Sequence, residues 1–352
     1  MAAPERMRGM PDPLTLTALS PPGGRLRVGL IGAGDIAGYH LPAWQKTARA
    51  QVVAVCDREL ERAHARAAIF DIPQVFDDAA AMLGAVELDA VDIATWRDSH
   101  VALVRLAATH GRHVLCQKPL APDLAQAEAL VVEVSGSIRL MVHENRRFAP
   151  QFRTIGRWIR EGRLGELRQA HMIMHRSGYL KAPDGRRPAL ERTPRMADEQ
   201  RLLIGETLIH QLDVLRWLIG PLRVLSARIL HTEPDMPGET LGTIMMETER
   251  WVPVVLSGSF VAPGFGAAVS DRLELIGSRT SIILDGDRLE IRGEIAEKQS
   301  FDMRQAYQAC FDAAIAHFTA CLLDGQAFES DAHDNLGTLK LVEDAYAAAA
   351  AK

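Results

Sequence analysis

Hydrophobic and polar positions follow two different patterns along this chain, and the change falls near residue 145. Before it, short apolar runs such as Val28–Ile31 and Val52–Cys56 alternate with segments of helical spacing. Buried strands that alternate with helices are typical of a parallel, doubly wound sheet. The pattern therefore predicts a doubly wound α/β domain over residues 25–145.

The second half of the chain contains strands of a different kind. A helix, an alternating strand and a second helix precede six strand-like runs between residues 224 and 291, which turn residues separate. Such runs favour a largely antiparallel open sheet. We predict an α/β domain with this sheet over residues 146–330, for substrate binding and self-association. A C-terminal helix within residues 331–352 is expected to pack back on the first domain.

Composition and charge argue against several classes of protein. The chain has 352 residues, enough for two domains, and its formal net charge of −5 argues against a nucleic-acid partner. No apolar run reaches the roughly 20 residues that span a bilayer, so no membrane partner is expected. The four cysteines have no metal-ligand spacing, which predicts no metal site and suits the reducing cytoplasm. Residues 1–24 are rich in proline and glycine and are predicted to form a disordered leader.

The clearest motif follows the first apolar run directly and reads Gly32-Ala33-Gly34-Asp35-Ile36-Ala37. This is the GxGxxA form of the dinucleotide fingerprint, whose small residues permit a tight turn, close approach of a pyrophosphate and close helix packing. The helix that follows turns its free N–H groups and positive dipole end toward the phosphates. A glycine turn without a ligand is the alternative, and the strand before and the helix after the motif argue against it.

An acidic residue stands where the fingerprint needs one for the adenosine ribose. Asp57 ends the second predicted strand, about 20 residues past the glycines. A carboxylate there favours NAD because it repels a 2′-phosphate, although Arg58 directly after it leaves NADP open. The candidate cofactor-binding residues are Gly32, Gly34, Asp35, Ile36, Ala37, Asp57, Arg58, Thr95, His100 and Lys118.

Two further groups of residues have side chains suited to proton chemistry. Lys118 follows the fourth predicted strand, at the end that faces the ligand crevice in such sheets, where it can stabilise an alkoxide or relay its proton. Glu206, His210 and Asp213 are spaced i, i+4, i+7 on one predicted helix, so a carboxylate can orient the imidazole as a base. A solvated lysine and a surface Glu–His pair are the alternatives that spacing alone leaves open.

Taken together, these segments resemble the glucose–fructose oxidoreductase/inositol dehydrogenase (Gfo/Idh/MocA) family. The resemblance covers about residues 25–350 and rests on the segments VGLIGAGDIAGYHLPAW, VVAVCDRELERA, DAVDIAT with GRHVLCQKPLA, ENRRFAPQF and ETLIHQLDVLRWLIG. In two motifs the chain is similar to the inositol dehydrogenase branch. Members of the family join a Rossmann domain to an α/β domain, and most of them oxidise sugars or polyols with NAD or NADP.

The resemblance implies roles for particular residues. The lysine of the family's Glu-Lys-Pro motif corresponds to Lys118, and its acid and base correspond to Glu206 and His210, which makes these three the catalytic candidates. Gln117 stands where the family usually has glutamate, and Glu206 where it usually has aspartate. The substrate-binding candidates are Lys118, Arg146, His175, Glu206 and His210. A homo-oligomer, either a dimer or a tetramer, is also implied.

The resulting expectation is a cytoplasmic NAD(P)-dependent dehydrogenase that moves hydride from a hydroxyl carbon of a sugar or cyclic polyol to nicotinamide. Two alternatives stay open: a hydrolase or epimerase that retains its nicotinamide, and a non-catalytic nucleotide sensor on the same fold. The charged segment 178–198 raises the question of substrate charge. It is predicted to be a long loop, either solvated or a lid whose Arg186 and Arg187 bind an acidic sugar.

Overall fold

The computed structural model of the protein describes residues 17–267 and 271–351, which divide into two compact units. The first contains the described residues up to Asn145 together with Cys310–Leu336. The second contains Arg146–Ala309 and the described residues from Gly337 onward. Residues 1–16 of the predicted disordered leader lie outside the described residues. Leu19, within the predicted leader, is part of the first unit and donates its N–H to the Leu322 carbonyl at 3.0 Å.

The first unit is built on a parallel sheet. In the described residues its strands are β1 Leu26–Ile31, β2 Ala50–Cys56, β3 Gln74–Phe76, β4 Ala90–Ile93, β5 His113–Gln117 and β6 Leu140–His143. They lie in the order β3-β2-β1-β4-β5-β6, and every neighbouring pair is parallel. This is the strand order of a Rossmann sheet, whose ligand crevice lies outside the carboxyl strand ends where the order reverses, here between β1 and β4. The predicted doubly wound sheet is confirmed, and β3 is an addition to it.

Helices connect these parallel strands. Their bounds are α1 Ala37–Lys46, α2 Leu60–Phe70, α3 Ala79–Ala85, α4 His100–Thr109 and α5 Leu124–Val134. Every residue of β4 is buried, as expected for a strand that is covered on both faces. Aspartates are the N-caps of α3 and α5. The Asp78 carboxylate accepts from the Ala81 N–H at 2.8 Å, and the Asp123 carboxylate accepts from the Gln126 N–H at 2.8 Å.

The second unit contains a larger sheet. Its described elements are α6 Pro150–Arg160, β7 Leu167–His175, α7 Pro188–Arg192, α8 Ile209–Ile219, β8 Leu222–Leu230, β9 Leu241–Thr248, β10 Pro253–Ser259, β11 Asp271–Gly277, β12 Thr280–Asp285, β13 Arg288–Gly293 and β14 Glu297–Ser300. The last two helices, α9 Met303–Asp324 and α10 Ala332–Ala350, are each divided between the two units. The strands lie in the order β14-β13-β12-β11-β7-β10-β9-β8. Among the described strands of this sheet, β7 and β10 pair in parallel and the other neighbours are antiparallel. The predicted, largely antiparallel sheet is confirmed.

Two predicted segments differ from the observed elements. Segment 178–198 is not one continuous loop, because it contains α7 and a 3₁₀ turn over Pro194–Asp198. A proline starts each of these helical turns, where its fixed φ favours the helix and its missing N–H is not needed. The C-terminal segment 331–352 is divided between the units at residue 337, within α10. Among the described residues, none of the helices is both long and apolar enough to cross a membrane.

Packing in the second unit brings α8 directly onto the sheet. Along β7 the alternate residues Ala170, Met172 and Met174 are buried, which marks the covered face of the sheet. A Cβ at Gly258 on β10 would lie 2.8 Å from a methyl group of Leu208, just before α8. Glycine therefore allows the beginning of α8 to approach the strand closely.

His113 at the start of β5 is a partly buried histidine that the first unit uses in its neutral form. Its Nδ1 accepts a hydrogen bond from the Arg139 N–H at 3.1 Å, which a doubly protonated ring cannot do. Burial, followed by the positive charge of Arg139, lowers the pKa of His113 to about 4. Because the pKa of an unfolded histidine is about 6.5, the unfolded state takes up this proton first as the pH falls.

We therefore expect acid to destabilise the protein in part through His113. The free energy of unfolding should fall by roughly 2 kcal/mol as the pH drops from the unfolded to the folded pKa of this residue. His113→Gln, which keeps an acceptor near the Arg139 N–H, should make the melting temperature less sensitive to pH in this window. Calorimetry checks this, with His64→Gln on the exposed face of α2 as the control. An unchanged pH dependence in His113→Gln would contradict this role.

Candidate active site

The glycine loop has the shape that the fingerprint requires. Gly32 has a φ of 102°, and a Cβ there would lie 2.6 Å from the Ala94 carbonyl oxygen, so a side chain does not fit. At Gly34, no described atom beyond the chain neighbours lies within 4 Å of a Cβ position, which leaves the backbone open to a ligand. No side chain of the described residues caps α1. This arrangement fits a dinucleotide pyrophosphate at the loop and the beginning of α1.

Asp57 and Arg66 both bind backbone groups of this loop. The Asp57 carboxylate accepts from the Ala33 N–H at 2.7 Å. Arg66 on α2 donates through Nε to the Ala33 carbonyl at 3.2 Å and through Nη2 to the Gly34 carbonyl at 2.9 Å. Asp57 thus lies beside the loop, at the end of β2, and Arg58 after it is exposed.

Lys118 lies directly after β5, in a loop at the carboxyl edge of the parallel sheet, and its peptide bond to Pro119 is cis. The Gln117 side-chain oxygen accepts from the Lys118 N–H at 3.2 Å. The buried His100 lies 2.8 Å from the Pro119 carbonyl through Nδ1 and 3.1 Å from the Thr95 carbonyl through Nε2. The structure therefore places His100, a cofactor-binding candidate, as a buried support of the lysine loop.

A buried chain of polar side chains connects β4, β5 and β6. The Asp92 carboxylate contacts His40 Nδ1 and accepts from Trp44 Nε1, both at 2.7 Å. The Gln117 side-chain nitrogen lies 2.7 Å from His40 Nε2 and 3.1 Å from His143 Nδ1. Because an amide nitrogen only donates, both ring nitrogens accept, and the proton on His40 Nδ1 points at Asp92. A glutamate in place of Gln117 would have no such donors.

In the second unit, the helix that carries the acid–base candidates begins with a wide turn. The Leu208 N–H donates to the Leu203 carbonyl at 2.7 Å, five residues back, and α8 follows. Glu206 is buried within this turn, and His210 lies in the first turn of α8 with its side chain partly exposed. The regular α-helix therefore begins only after Glu206, with His210 as its second residue. Wide turns of this type occur frequently at functional sites.

Asp213, the third residue of the predicted polar stripe, anchors α8. Arg147 donates through Nε to Asp213 Oδ2 at 2.8 Å, and its Nη2 contacts the other carboxylate oxygen. The Thr338 hydroxyl donates to Asp213 Oδ1 at 3.0 Å. Both members of the ion pair are buried, so this pair has a structural role.

A second buried ion pair joins Arg146 to Asp271 on β11. The Gln211 side-chain nitrogen donates to Asp271 Oδ1 at 2.9 Å. Because Gln211 follows His210 on α8, this contact brings Arg146 and the histidine to one region of the second unit. Neither Gln211 nor Asp271 was among the predicted site residues.

His175 and Arg176 add to this region at the end of β7. The His175 ring packs edge-on against Phe265 with centroids 4.9 Å apart. The Arg176 guanidinium lies 5.8 Å from the centre of the Phe260 ring, and its buried Nε has no hydrogen-bond partner among the described residues. Burial, opposed by the nearby charge of Asp271, lowers the pKa of Arg176 to about 10, so the side chain stays charged at neutral pH.

The two arginines of the lid hypothesis for segment 178–198 have acidic partners within the second unit. Arg186 forms ion pairs with Asp184 at 2.7 Å and Glu191 at 2.9 Å. Arg187 is buried and forms an ion pair with Glu233 at 2.8 Å and another with Asp235. The buried Arg187 is therefore neutralised within the second unit, whereas Arg186 is exposed and forms surface ion pairs.

The two units divide the predicted site residues between them. The first contains all the cofactor-binding candidates: Gly32, Gly34, Asp35, Ile36, Ala37, Asp57, Arg58, Thr95, His100 and Lys118. The second contains the remaining substrate-binding candidates: Arg146, His175, Glu206 and His210. Sequence reasoning missed Asp92 and Arg66. Asp92 is a charged residue within an apolar strand, which was a visible sign of a buried polar contact, whereas Arg66 lies on an ordinary amphipathic helix and showed no such sign.

Profiles of two domains match most of the chain. Residues 26–142 match the oxidoreductase family with an NAD-binding Rossmann fold, and residues 152–283 match the GFO/IDH/MocA C-terminal domain. The chain is 34% identical to a D-apiose dehydrogenase from Paraburkholderia graminis, over 92% of this chain and 88% of that protein. It is 31% identical to inositol 2-dehydrogenase 4 from Saccharopolyspora erythraea, over 82% of each chain.

A solved structure with a similar fold contains the cofactor. It is an oxidoreductase from Agrobacterium radiobacter in complex with NAD+, L-tartaric acid and magnesium. The two chains are 29% identical, with a TM-score of 0.86 over 93% of this chain and 97% of that one. The first unit is thus an NAD-binding Rossmann domain, as the glycine fingerprint predicts.

Gln117→Glu tests the buried polar chain behind the lysine loop. The loss of two amide donors should destabilise the protein by about 1–3 kcal/mol at neutral pH. A carboxylate can bridge two ring nitrogens only if an extra proton is taken up, so the loss of stability should shrink as the pH is lowered. The melting temperatures of wild type and variant across pH measure this, with Gln45→Glu on the exposed side of α1 as the control. A decrease in melting temperature that is the same at every pH would contradict the assignment of the Gln117 amide as donor to both histidines.

Proposed function

Because the chain belongs to the Gfo/Idh/MocA oxidoreductase family, we propose that it is an NAD-dependent dehydrogenase that oxidises a hydroxyl carbon of a sugar or cyclic polyol. The observation that carries this proposal is the position of Lys118 in an NAD-binding sheet. The lysine follows β5 at the carboxyl edge, which is the edge that faces ligands in sheets of this topology. A nucleotide sensor would not need an amine there.

Oxidation of an alcohol removes a hydride from carbon and a proton from oxygen, and NAD, when bound, accepts the hydride. We assign the proton to His210, which acts as the general base. Glu206 orients the imidazole and stabilises its charged form. Lys118 is assigned to stabilise the negative charge that develops on the alcohol oxygen as its proton leaves. Arg146 and His175 are assigned to other hydroxyl groups of the substrate.

Residues of the glycine loop are assigned to the cofactor. The open backbone at Gly34 and the uncapped beginning of α1 support binding of the diphosphate there. Asp57 is assigned to the adenosine ribose, and its negative charge favours NAD over NADP.

The substrate class follows from the relatives and is the finer part of the proposal. The D-apiose and inositol dehydrogenases that resemble this chain act, by their names, on a branched sugar and a cyclic polyol. Both are uncharged, and the internal ion pairs of Arg186 and Arg187 remove one reason to expect an acid. We propose an uncharged sugar or polyol.

We also propose that the protein works in the cytoplasm as a homo-oligomer. Leu225, Leu230 and Met245, on the neighbouring strands β8 and β9, are 46%, 37% and 49% exposed, and a second copy of the chain could cover them. All four cysteines are free and buried, and burial raises the pKa of Cys56 to about 12. Such thiols suit a reducing compartment.

A panel of sugars and polyols tests the reaction class. The purified protein is mixed with NAD and with D-apiose, inositol, common aldoses and the matching sugar acids, and NADH formation is followed by absorbance. We expect net reduction of NAD, in step with substrate consumed, for at least one uncharged compound. Turnover without net NADH would instead indicate an enzyme that recycles its hydride, and a preference for the acids would overturn the proposed substrate class.

Lys118→Ala and His210→Ala test the assigned roles. Each should lower kcat by about 100- to 10,000-fold, the range for a positioned acid or base, while NADH binding stays near the wild-type level. Lys46→Ala and His64→Ala are matched controls, since both side chains are exposed on helices of the first unit. Near-normal kcat in Lys118→Ala or His210→Ala, or loss of NADH binding in both, would contradict the assignment.

A further inference from the structure

The glycine loop is held at two consecutive peptide groups by a single arginine. We call Asp57, Arg66 and the two loop peptides they bind the loop clamp. In it, the Ala33 N–H is bound by Asp57 at 2.7 Å, and the carbonyls of Ala33 and Gly34 are bound by Arg66 at 3.2 and 2.9 Å. Arg66 reaches them from α2, 33 residues further along the chain than Ala33.

Each carbonyl contact also fixes the direction of an N–H group. A trans peptide is planar, so its carbonyl and its N–H point in opposite directions. The Ala33 carbonyl shares its peptide with the Gly34 N–H, and the Gly34 carbonyl shares its peptide with the Asp35 N–H. Arg66 therefore turns these two N–H groups away from itself, and neither donates to an acceptor in the described part of the chain.

The guanidinium is well suited to this task because its nitrogens form a rigid, planar fork. Rotation of either loop peptide would break a charge-assisted hydrogen bond. Asp57, which has the opposite charge, binds the N–H of the same Ala33, so the loop clamp is neutral as a whole. Its effect on an anionic ligand is therefore orientation of N–H donors and not net attraction.

We propose that Arg66 is a positioning residue for the cofactor, which keeps the Gly34 and Asp35 N–H groups directed at the diphosphate of NAD. This inference rests on the NAD-binding Rossmann fold of the first unit and does not depend on which sugar the enzyme oxidises. A direct contact between Arg66 and a phosphate, including the 2′-phosphate of NADP, is the competing role that the test must separate.

The experiment compares Arg66→Met, Arg66→Lys and a control, Arg62→Met. Arg62 lies one turn earlier on α2 and pairs with Glu59 at 2.9 Å on the surface. The dissociation constants of NADH, ADP-ribose and NADPH are measured by calorimetric titration at low and high salt, which requires no sugar substrate. The melting temperature and kcat at saturating NAD are measured beside them.

We expect Arg66→Met to weaken the binding of NADH and of ADP-ribose by the same factor, about tenfold or more, because two charge-assisted hydrogen bonds that order the loop are lost. Arg66→Lys should lose less, since an ammonium keeps the charge without the fork. The dissociation constant of NADPH should rise by the same factor as that of NADH, and added salt should not reduce this factor. The kcat at saturating NAD should stay within about twofold of the wild-type value. Arg62→Met should bind like wild type.

Two results would overturn the proposal. Unchanged NADH affinity in a folded Arg66→Met protein would show that the loop keeps its shape without the arginine. A loss that is much larger for NADPH, or that fades with added salt, would indicate direct contact with a phosphate. If Arg66→Met does not fold, Arg66→Lys decides between these outcomes. If the proposed sugar oxidation fails, the binding constants remain measurable, so the two failures are distinguishable.

Discussion

The buried carboxylate of Asp92 is the interaction on which the first unit depends. It binds His40 and Trp44 of α1, the helix that begins at the glycine loop, and it lies on β4 at the centre of the sheet. Through His40 the same chain of contacts reaches Gln117, whose neighbour is Lys118. A buried carboxylate costs free energy unless it is paired, so a shift of α1 that broke these contacts would destabilise the unit. The cofactor loop and the lysine loop are therefore supported by one polar network.

Two neighbouring arginines have the corresponding role in the second unit. Arg146 pairs with Asp271 on β11, and Arg147 pairs with Asp213 on α8, so the segment before α6 is tied to both the sheet and the helix. Removing one partner of a buried ion pair costs about 3–5 kcal/mol, because it leaves an uncompensated charge. Arg146 thus combines a structural contact with its proposed place at the substrate, and a loss of activity in an Arg146 variant would not separate the two.

The sequence predicted most of the fold and proposed the residues of the site, and the errors in the fold have identifiable causes. Alternating apolar runs and helices predicted the Rossmann sheet, and alternation in the second half predicted the antiparallel sheet. The helical spacing of Glu206 and His210 did not reveal the wide turn at Leu208, because an extra residue in a turn leaves no mark on composition. Segment 178–198 was predicted to be one long loop, although two of its prolines, Pro188 and Pro194, occupy the first positions of helical turns.

What the sequence determined by itself is local. The φ of Gly32, the open backbone at Gly34 and the acidic residue after β2 follow from residue type and spacing over short distances, and such features survive in any fold that forms them. Only the tertiary structure decided what Arg66, Gln117 and Asp213 do. Arg66 binds the loop carbonyls, Gln117 binds two buried histidine rings and Asp213 binds a buried guanidinium. All of these partners are distant in sequence. The physical reason is that a polar side chain takes its role from the groups that packing brings within hydrogen-bond distance.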